Sequence, residues 1–266
     1  MKRIATGLIL GGGWLLLLLY GSFFLFWLVT VVIGGVALYE YGRIVIPGHV
    51  REHVLCCVLC GLIPLLTSYG GDLAAVAVGL MLALFLLIGF CLWRYETLGA
   101  PFDFLSRAGF GVYYVGFCLA HLVLILRQPD GRYWLLVLTA IIAAADTGAY
   151  YTGTWLGRTK LCPAISPGKT VAGGIGGLVV GTLAGLVAAA YFVPGASLSR
   201  VGGWAVVLVC VGLLGDLVES VLKRAGGVKD SGTLLAGHGG VLDRGDSLLL
   251  AGPVLYYLLH FGWLTC

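Results

Sequence analysis

Leu73-Ala-Ala-Val-Ala-Val-Gly-Leu-Met-Leu-Ala-Leu-Phe-Leu-Leu-Ile-Gly-Phe-Cys-Leu-Trp93 is the stretch that decides the fold of this chain. It carries no charged side chain over about 20 residues, which is the length that an α-helix needs to cross the hydrocarbon core of a bilayer. Similar apolar runs lie on both sides of it, from residue 4 to residue 263. The stretch therefore predicts one transmembrane helix in a chain that crosses the membrane repeatedly.

The composition agrees with a membrane protein and excludes the other broad classes. Of the 266 residues, 60% are hydrophobic and 11% are charged, and the mean hydropathy is +1.03. Soluble globular, disordered and fibrous chains do not combine these values. The net charge of +4 is modest, so we interpret the basic residues as topology signals and anion contacts, and we expect no nucleic-acid surface.

About nine segments are long and apolar enough to span the membrane on this criterion. We therefore predict an all-α, polytopic integral membrane protein with about nine transmembrane helices and two functional cytoplasmic loops. Only Tyr20-Gly21-Ser22 joins the first two segments, so they form either a tight hairpin or one long tilted helix. We expect a single membrane domain, with scaffold and groove helices in 1–132 and the catalytic region in 133–266. The predicted segments are 4–20, 22–41, 53–68, 72–93, 108–126, 133–151, 171–193, 202–223 and 247–263.

The distribution of basic residues predicts which loops face the cytoplasm. Met1-Lys-Arg3 precedes an apolar run that lacks a small-residue cleavage site, so we expect this run to remain as the first span. With a cytoplasmic N-terminus, nearly all of the 16 lysines and arginines lie inside, and the exceptions are Arg127, Arg132 and Arg200. The same bias predicts that both polar loops, 152–170 and 224–246, are cytoplasmic.

Glycine recurs at close helical spacing in 171–185, Val-Ala-Gly-Gly-Ile-Gly-Gly-Leu-Val-Val-Gly-Thr-Leu-Ala-Gly. Small residues at this spacing let neighbouring transmembrane helices approach closely. We therefore predict tight helix packing here rather than a nucleotide-binding glycine loop, because no strand precedes the segment.

Three carboxylates lie at membrane depth in this prediction, on Asp146, Asp216 and Glu219. A carboxylate inside a spanning helix is costly, so it needs a partner, a cation or a watery cavity. The spacing i, i+3, i+4 and i+7 places four side chains on one helical face, namely Asp216, Glu219, Ser220 and Lys223. One interpretation is a contact such as Asp216–Lys223 that only neutralises buried charge. The interpretation we favour is a functional site.

Charge is concentrated in one segment, Ser220-Val-Leu-Lys-Arg-Ala-Gly-Gly-Val-Lys-Asp-Ser-Gly-Thr-Leu-Leu-Ala-Gly-His-Gly-Gly-Val-Leu-Asp-Arg-Gly-Asp246. Its basic side chains are suited to phosphate oxygens, and they are Lys223, Arg224, Lys229 and Arg244. Its carboxylates are hard donors suited to Mg²⁺, and they are Asp230, Asp243 and Asp246. An ordinary cytoplasmic loop would explain the basic residues but not the aspartates or His238-Gly-Gly240. The segment therefore predicts phosphoryl or nucleotidyl transfer.

A second polar loop reads Gly157-Arg-Thr-Lys-Leu-Cys-Pro-Ala-Ile-Ser-Pro-Gly-Lys-Thr170. Its end resembles a P-loop, but Pro163 stands where the first glycine belongs and no strand leads into it. Ser166, Lys169 and Thr170 nevertheless precede a predicted helix, whose backbone N–H groups favour anions. We predict that they contact phosphate.

The segment Ser220–Asp246 resembles the signature of the phosphatidate cytidylyltransferases, also called CDP-diacylglycerol synthases. The shared pattern is S-x-apolar-K-R, four residues, K-D, then H-G-G-apolar-x-D-R-x-D, with its spacing preserved. Asp146-Thr-Gly-Ala-Tyr150 and Ile165-Ser-Pro-Gly-Lys-Thr170 are similar to two further motifs of that family. The departures are Ala172, Ala236 and Gly245, where the family usually has a Glu, a Pro or Gly, and an apolar residue.

The resemblance implies cytidylyl transfer from CTP to phosphatidate with Mg²⁺, and it leaves a second cation open. It also implies a multi-pass protein of the inner (plasma) membrane, in contact with membrane lipids, with a cytoplasmic active site and a homodimeric state. The implied metal ligands are Asp216 and Asp243, supported by Asp246 and Asp146. The implied contacts to CTP and the lipid phosphate are Ser166, Lys169, Ser220, Lys223, Arg224, Lys229 and Arg244, with Asp230 in the catalytic set. His238, Gly239 and Gly240 would shape the nucleotide pocket, although His238 could instead be structural.

Two other functions remain open at this point. One is a related reaction, such as a CTP-dependent polyprenol or phytol kinase, or cytidylyl transfer to archaeol phosphate. The other is a transporter or channel for phosphorylated lipids or ions, which would explain the intramembrane charges and the glycine-rich helices. A transporter would not explain the dense acidic and basic loop.

Overall fold

The computed structural model describes the backbone of residues 2–232 and 239–264, with side chains at residue 7 and from residue 9 onward. Nearly all of it is helical, as the sequence predicted. The helices are α1 (Lys2–Tyr20), α2 (Phe23–Val45), α3 (Arg51–Thr67), α4 (Leu73–Trp93), α5 (Tyr95–Leu98), α6 (Pro101–Gly111), α7 (Cys118–Ile125), α8 (Gly131–Leu156), α9 (Val171–Phe192), α10 (Leu198–Ala225) and α11 (Leu242–His260). Short 3₁₀ turns occupy Pro47–His49 and Ser68–Gly70, and a π-helical turn, Val112–Phe117, joins α6 to α7.

Seven helical segments in the described part of the chain are long and apolar enough to span a membrane, which bears out the predicted class. They are Phe23–Val45, Arg51–Gly70, Leu73–Trp93, Pro101–Ile125, Gly131–Leu156, Val171–Phe192 and Leu198–Ala225. The first predicted segment contributes only a shorter apolar helix, Ile9–Tyr20. The last one, α11, carries three charged residues in its first two turns, which shortens its apolar part. Of the nine predicted segments, seven therefore meet this criterion of length and hydropathy within the described residues.

Ser22 decides between the two predicted arrangements of the first segments. Its side chain caps α2 by accepting a hydrogen bond from the backbone N–H of Leu25 at 3.1 Å. The rings of Trp14 and Phe26 lie 5.7 Å apart, so the chain doubles back across this turn. The first two helices form a tight hairpin, and one long tilted helix is excluded.

The chain forms two compact units, of residues 1–124 with 222–244 and of residues 125–221 with 245–266. In the first unit, α2 and α3 pack closely, and the Tyr41 hydroxyl donates to the carbonyl of Arg107 at 2.7 Å. A Cβ on Gly116 would overlap the carbonyl of Gly61, so backbones are in direct contact here. This packing gives α2 a fixed position in the unit.

In the second unit, α8 and α9 pack through their glycines. A Cβ on Gly177 would lie 3.0 Å from the carbonyl oxygen of Ala145, and one on Gly181 would lie 3.0 Å from that of Ile141. The predicted close packing along 171–185 is confirmed.

A small antiparallel hairpin lies between α8 and α9 in the second unit. Its strands are β1 (Lys160–Cys162) and β2 (Ser166–Thr170), and their register pairs Lys160 with Thr170. The sequence predicted a loop here, because three- and five-residue strands give no alternating pattern to detect. The hairpin leads directly into the first turn of α9.

Candidate active site

A cavity of about 650 Å³ lies in the second unit. Its volume is in the range of small-molecule sites. The cavity is lined by α8, the β-hairpin, α9, α10 and Ser247 of α11. Glycines form much of the wall, so backbone is accessible to a ligand, while the polar side chains on the wall include Asp146, Lys160, Lys169, Thr170 and Asp216.

Lys169 and Asp216 form an ion pair inside this cavity. The ammonium of Lys169, on β2, lies 2.5 Å from Oδ2 of Asp216, on α10. The next residue, Thr170, caps α9 by accepting a hydrogen bond from the backbone N–H of Gly173 at 3.1 Å. The hairpin and the cap therefore fix Lys169 beside the N-terminus of α9, where anions are favoured.

Several carboxylates of the same unit, that of Asp216 included, act on Asp246. Asp246 lies in the charged first turns of α11, outside the seven spans, and the charges of Asp216 and Asp146 act on it. Burial and then the charge of Asp216 raise the pKa of Asp246 to about 6, while a hydrogen bond with Glu219 acts in the opposite direction. This concentration of negative charge favours the binding of a cation.

A second polar cluster lies in the first unit, around Asp243. Its Oδ1 lies 2.7 Å from the ammonium of Lys223. Its Oδ2 accepts hydrogen bonds from the backbone N–H of Ser231 at 2.9 Å, from the Ser231 hydroxyl at 2.9 Å and from the backbone N–H of Gly240 at 2.8 Å. Both carboxylate oxygens are therefore occupied by donors, and Asp243 joins Ser231 to Gly240.

The less favoured interpretation, an Asp216–Lys223 contact, does not hold, because each residue has a different partner. Asp216 pairs with Lys169, and Lys223 pairs with Asp243. Both pairs join residues that lie on different elements, which helical spacing alone does not reveal.

The other predicted residues divide by exposure. Gly240 is buried, and Ser166, Ser220 and Gly239 are half-buried; the exposed side chains are those of Asp146, Arg224, Lys229, Asp230 and Arg244. Gly239 has a φ of +78°, which favours glycine. His238 and Ala236 lie outside the described residues.

Two buried polar residues of the first unit, Glu40 and Ser231, were not predicted as site residues. Glu40 is 5% exposed and Ser231 is 7% exposed. The signal for Glu40 was available, because an ionisable residue in an apolar helix marks a functional position by default. Ser231 carries no comparable signal in the sequence.

The donor chemistry fits Mg²⁺, because Asp146, Asp216, Glu219 and Asp246 supply hard carboxylate oxygens in one unit. Within residues 2–232 and 239–264, however, no three Asp, Glu, His or Cys side chains already converge on one ion position. Donor type and charge, rather than a formed coordination shell, are what favour a metal here.

Comparison with known proteins connects these features to a family. The sequence profile of the cytidylyltransferase family matches residues 1–262. The chain is 34% identical to a phosphatidate cytidylyltransferase of Bacillus subtilis over 97% of both proteins. It is 45% identical to one of a Synechocystis species over 49% of this chain and 44% of that protein, and 39% identical to one of Staphylococcus haemolyticus over 62% and 61%. The resemblance predicted from Ser220–Asp246 is confirmed, and the chain belongs to the cytidylyltransferase family.

Proposed function

We propose that this protein transfers the cytidylyl group of CTP to phosphatidate, giving CDP-diacylglycerol and pyrophosphate. The observation that carries the proposal is the 34% identity, over 97% of the chain, to a relative named phosphatidate cytidylyltransferase. The cavity of the second unit supports it, because two lysines and two aspartates line a space suited to a nucleotide-sized ligand.

In this reaction a phosphate oxygen of phosphatidate attacks the α-phosphorus of CTP. A new P–O bond forms, the bond between the α-phosphorus and the bridging oxygen breaks, and pyrophosphate leaves with the electron pair. The attacking phosphate monoester is already anionic at neutral pH, so no strong general base is needed. The task of the protein is to bring the triphosphate of CTP and the phosphate of phosphatidate together and to neutralise their negative charge.

Mg²⁺ is the cofactor we propose, and it would neutralise charge on the phosphates when bound. Asp216 and Asp246 would hold it, with Asp146 in support, because these carboxylates act on one another in the second unit. Asp243, the other predicted ligand, would have to exchange Lys223 or backbone donors for the ion. We therefore assign Asp243 a lesser part in metal binding than the sequence predicted. A second cation is left open.

The basic residues would bind the phosphate groups. Lys169 lies in the cavity beside the start of α9, so we assign it to the triphosphate. The assignment of the others to phosphate oxygens rests on the sequence motif, and they are Ser166, Ser220, Lys223, Arg224, Lys229 and Arg244. The same holds for Asp230, His238, Gly239 and Gly240 in the nucleotide site.

We also propose that the protein lies in the inner (plasma) membrane with its active site facing the cytoplasm. The excess of lysine and arginine in the predicted cytoplasmic loops supports this orientation. A homodimer is the assembly we propose from the family resemblance alone.

Pyrophosphate release by the purified protein tests the reaction. The arms are CTP with phosphatidate, CTP without lipid, CTP with archaeol phosphate or a polyprenol, and dCTP with phosphatidate, each with Mg²⁺ titrated. We expect release that depends on CTP, phosphatidate and Mg²⁺ together, with CDP-diacylglycerol as the lipid product. Release with another lipid but not with phosphatidate would replace the substrate, and no release in any arm would contradict the proposal.

A further inference from the structure

Glu40 is a buried carboxylate of α2 that contacts a distant part of the first unit. Its Oε1 accepts a hydrogen bond from the backbone N–H of Val241 at 3.1 Å. Its Oε2 accepts from the backbone N–H of Leu242 at 2.9 Å and from the hydroxyl of Ser231 at 3.2 Å. Two backbone N–H groups, together with a hydroxyl that also lies within reach of Asp243, therefore face a carboxylate that is only 5% exposed.

These contacts place a negative charge at the beginning of α11. Leu242 is the first residue of α11, and the first N–H groups of a helix have no partner within that helix. A carboxylate at this end satisfies such donors and interacts favourably with the helix dipole. Glu40, which belongs to α2, thus caps the N-terminus of α11. This cap fixes the position of the first turn of α11, which contains Asp243 and Arg244.

Ser231 joins Glu40 to the cluster around Asp243. Its hydroxyl lies 3.2 Å from Glu40 Oε2 and 2.9 Å from Asp243 Oδ2, and it has one proton to donate. Glu40 and Asp243 therefore contact the same two described segments, Ser231 on one side and residues 240–242 on the other. Two carboxylates thus join Ser231 to the start of α11.

The glycines at the loop ends agree with this close approach. A Cβ on Gly240 would lie 2.5 Å from Glu40 Oε2 and would overlap the Ser231 hydroxyl, and a Cβ on Gly232 would overlap Glu40 Oε1. Neither position has room for a side chain while Glu40 keeps its contacts.

We infer that Glu40 is a positioning residue, whose carboxylate holds Ser231 against the start of α11 and thereby keeps the neighbouring residues Lys229 and Arg244 in place for phosphate binding. The role of Lys229 and Arg244 rests on the function proposed above. The link between Ser231 and the start of α11 does not, since it follows from the hydrogen bonds of the first unit.

The substitution Glu40→Gln tests the inference with almost no change in size. In the parent, both side-chain oxygens of Glu40 accept hydrogen bonds. Glutamine replaces one of these oxygens with an NH₂ group, which cannot accept, so at least one of the contacts is lost. We expect kcat per folded molecule to fall by about tenfold or more and KM for CTP to rise, as for a lost hydrogen bond to a charged group. Backbone amides of 229–232 and 239–244 should exchange hydrogen faster, while those of α3 and α4 keep the parent rate.

Three further variants make the result decisive. Glu52→Gln changes an exposed glutamate that pairs with Arg94, and it should match the parent in kcat, KM and exchange. Glu40→Asp keeps the charge with a shorter reach and should fall between the parent and Glu40→Gln. Ser231→Ala should act in the same direction as Glu40→Gln, and the double variant should lose less than the sum of the two, because the residues share one network.

Parent values of kcat, KM and exchange in Glu40→Gln would overturn the inference. A loss of folded protein with unchanged kcat per folded molecule would also overturn it, because the role would then be structural only. If Glu40→Gln does not fold, Glu40→Asp and Ser231→Ala decide by the same measurements. If the parent releases no pyrophosphate, the proposed function fails, and the exchange rates of 229–232 and 239–244 still decide whether Glu40 holds Ser231 against the start of α11.

Discussion

Asp216 is a charged residue that lines the cavity of the second unit. It pairs with Lys169 at 2.5 Å and acts on Asp246 through its charge. The substitution Asp216→Asn removes that charge without changing the shape, so Lys169 loses its partner and the proposed Mg²⁺ loses a ligand. We expect kcat/KM for CTP to fall by about 10- to 100-fold, with a higher Mg²⁺ requirement. The measurement is pyrophosphate release across a Mg²⁺ titration.

Asp103→Asn is the matched control for this prediction. Asp103 is about half exposed and pairs with Arg107 one helical turn away, an arrangement that contributes little to stability. The substitution Asp103→Asn should therefore leave activity and Mg²⁺ dependence unchanged. If Asp216→Asn behaves like Asp103→Asn, Asp216 is not a metal ligand.

The types of residue in the site were predictable from the sequence, but their partners were not. A charge in an apolar run is conspicuous, which is how Asp146, Asp216 and Glu219 were identified. Partner choice depends on tertiary packing, since Glu40 and Leu242 are separated by 202 positions and still share a hydrogen bond. No local pattern encodes a contact at that separation.

Among the helices, α10 and α11 approach one another closely within the second unit. A Cβ on Gly215 would overlap the carbonyl oxygen of Asp246, whereas one on Gly245 would meet nothing within 4 Å. Gly215→Ala must therefore displace the start of α11, at a cost of about 1–3 kcal/mol for overpacking. We expect a lower midpoint of thermal unfolding in detergent and lower activity per folded molecule.

Gly245→Ala, next to Asp246 in the chain, should have the opposite effect on stability. Alanine fits without contact and favours the helix by up to about 1 kcal/mol over glycine, so stability should be equal or higher and activity unchanged. Equal damage from both substitutions would contradict the packing described for Gly215.

Helix positions were predicted well because an apolar run of about 20 residues has the length and hydropathy of a membrane-spanning helix. The ends of the chain were predicted less well, since α11 begins with Asp243, Arg244 and Asp246 and its apolar part is short. The β-hairpin at 160–170 was missed because its pairing depends on contact between two very short segments. Length and hydropathy determine spans, whereas turns and pairings depend on side chains that those averages do not resolve.

For the whole molecule, the order of spans determines the side of each loop. Three consecutive spans, α8, α9 and α10, place the loop 157–170 on one face of the membrane and the loop 193–197 on the other. This alternation does not depend on whether α1 crosses the membrane. Combined with the excess of basic residues, it predicts that 157–170 is cytoplasmic.

A native cysteine makes this orientation measurable. Cys162 is a free, half-buried thiol at the end of β1, and Gly195 is exposed in the loop 193–197, where an added Cβ would meet no atom within 4 Å. A membrane-impermeant maleimide should label Cys162 in inside-out vesicles only. In a Cys162→Ser background, Gly195→Cys should be labelled in right-side-out vesicles only, with the labelled peptide identified by mass spectrometry. Labelling of both positions from the same face would contradict the span order, and exchanged faces would place the proposed CTP site outside the cytoplasm.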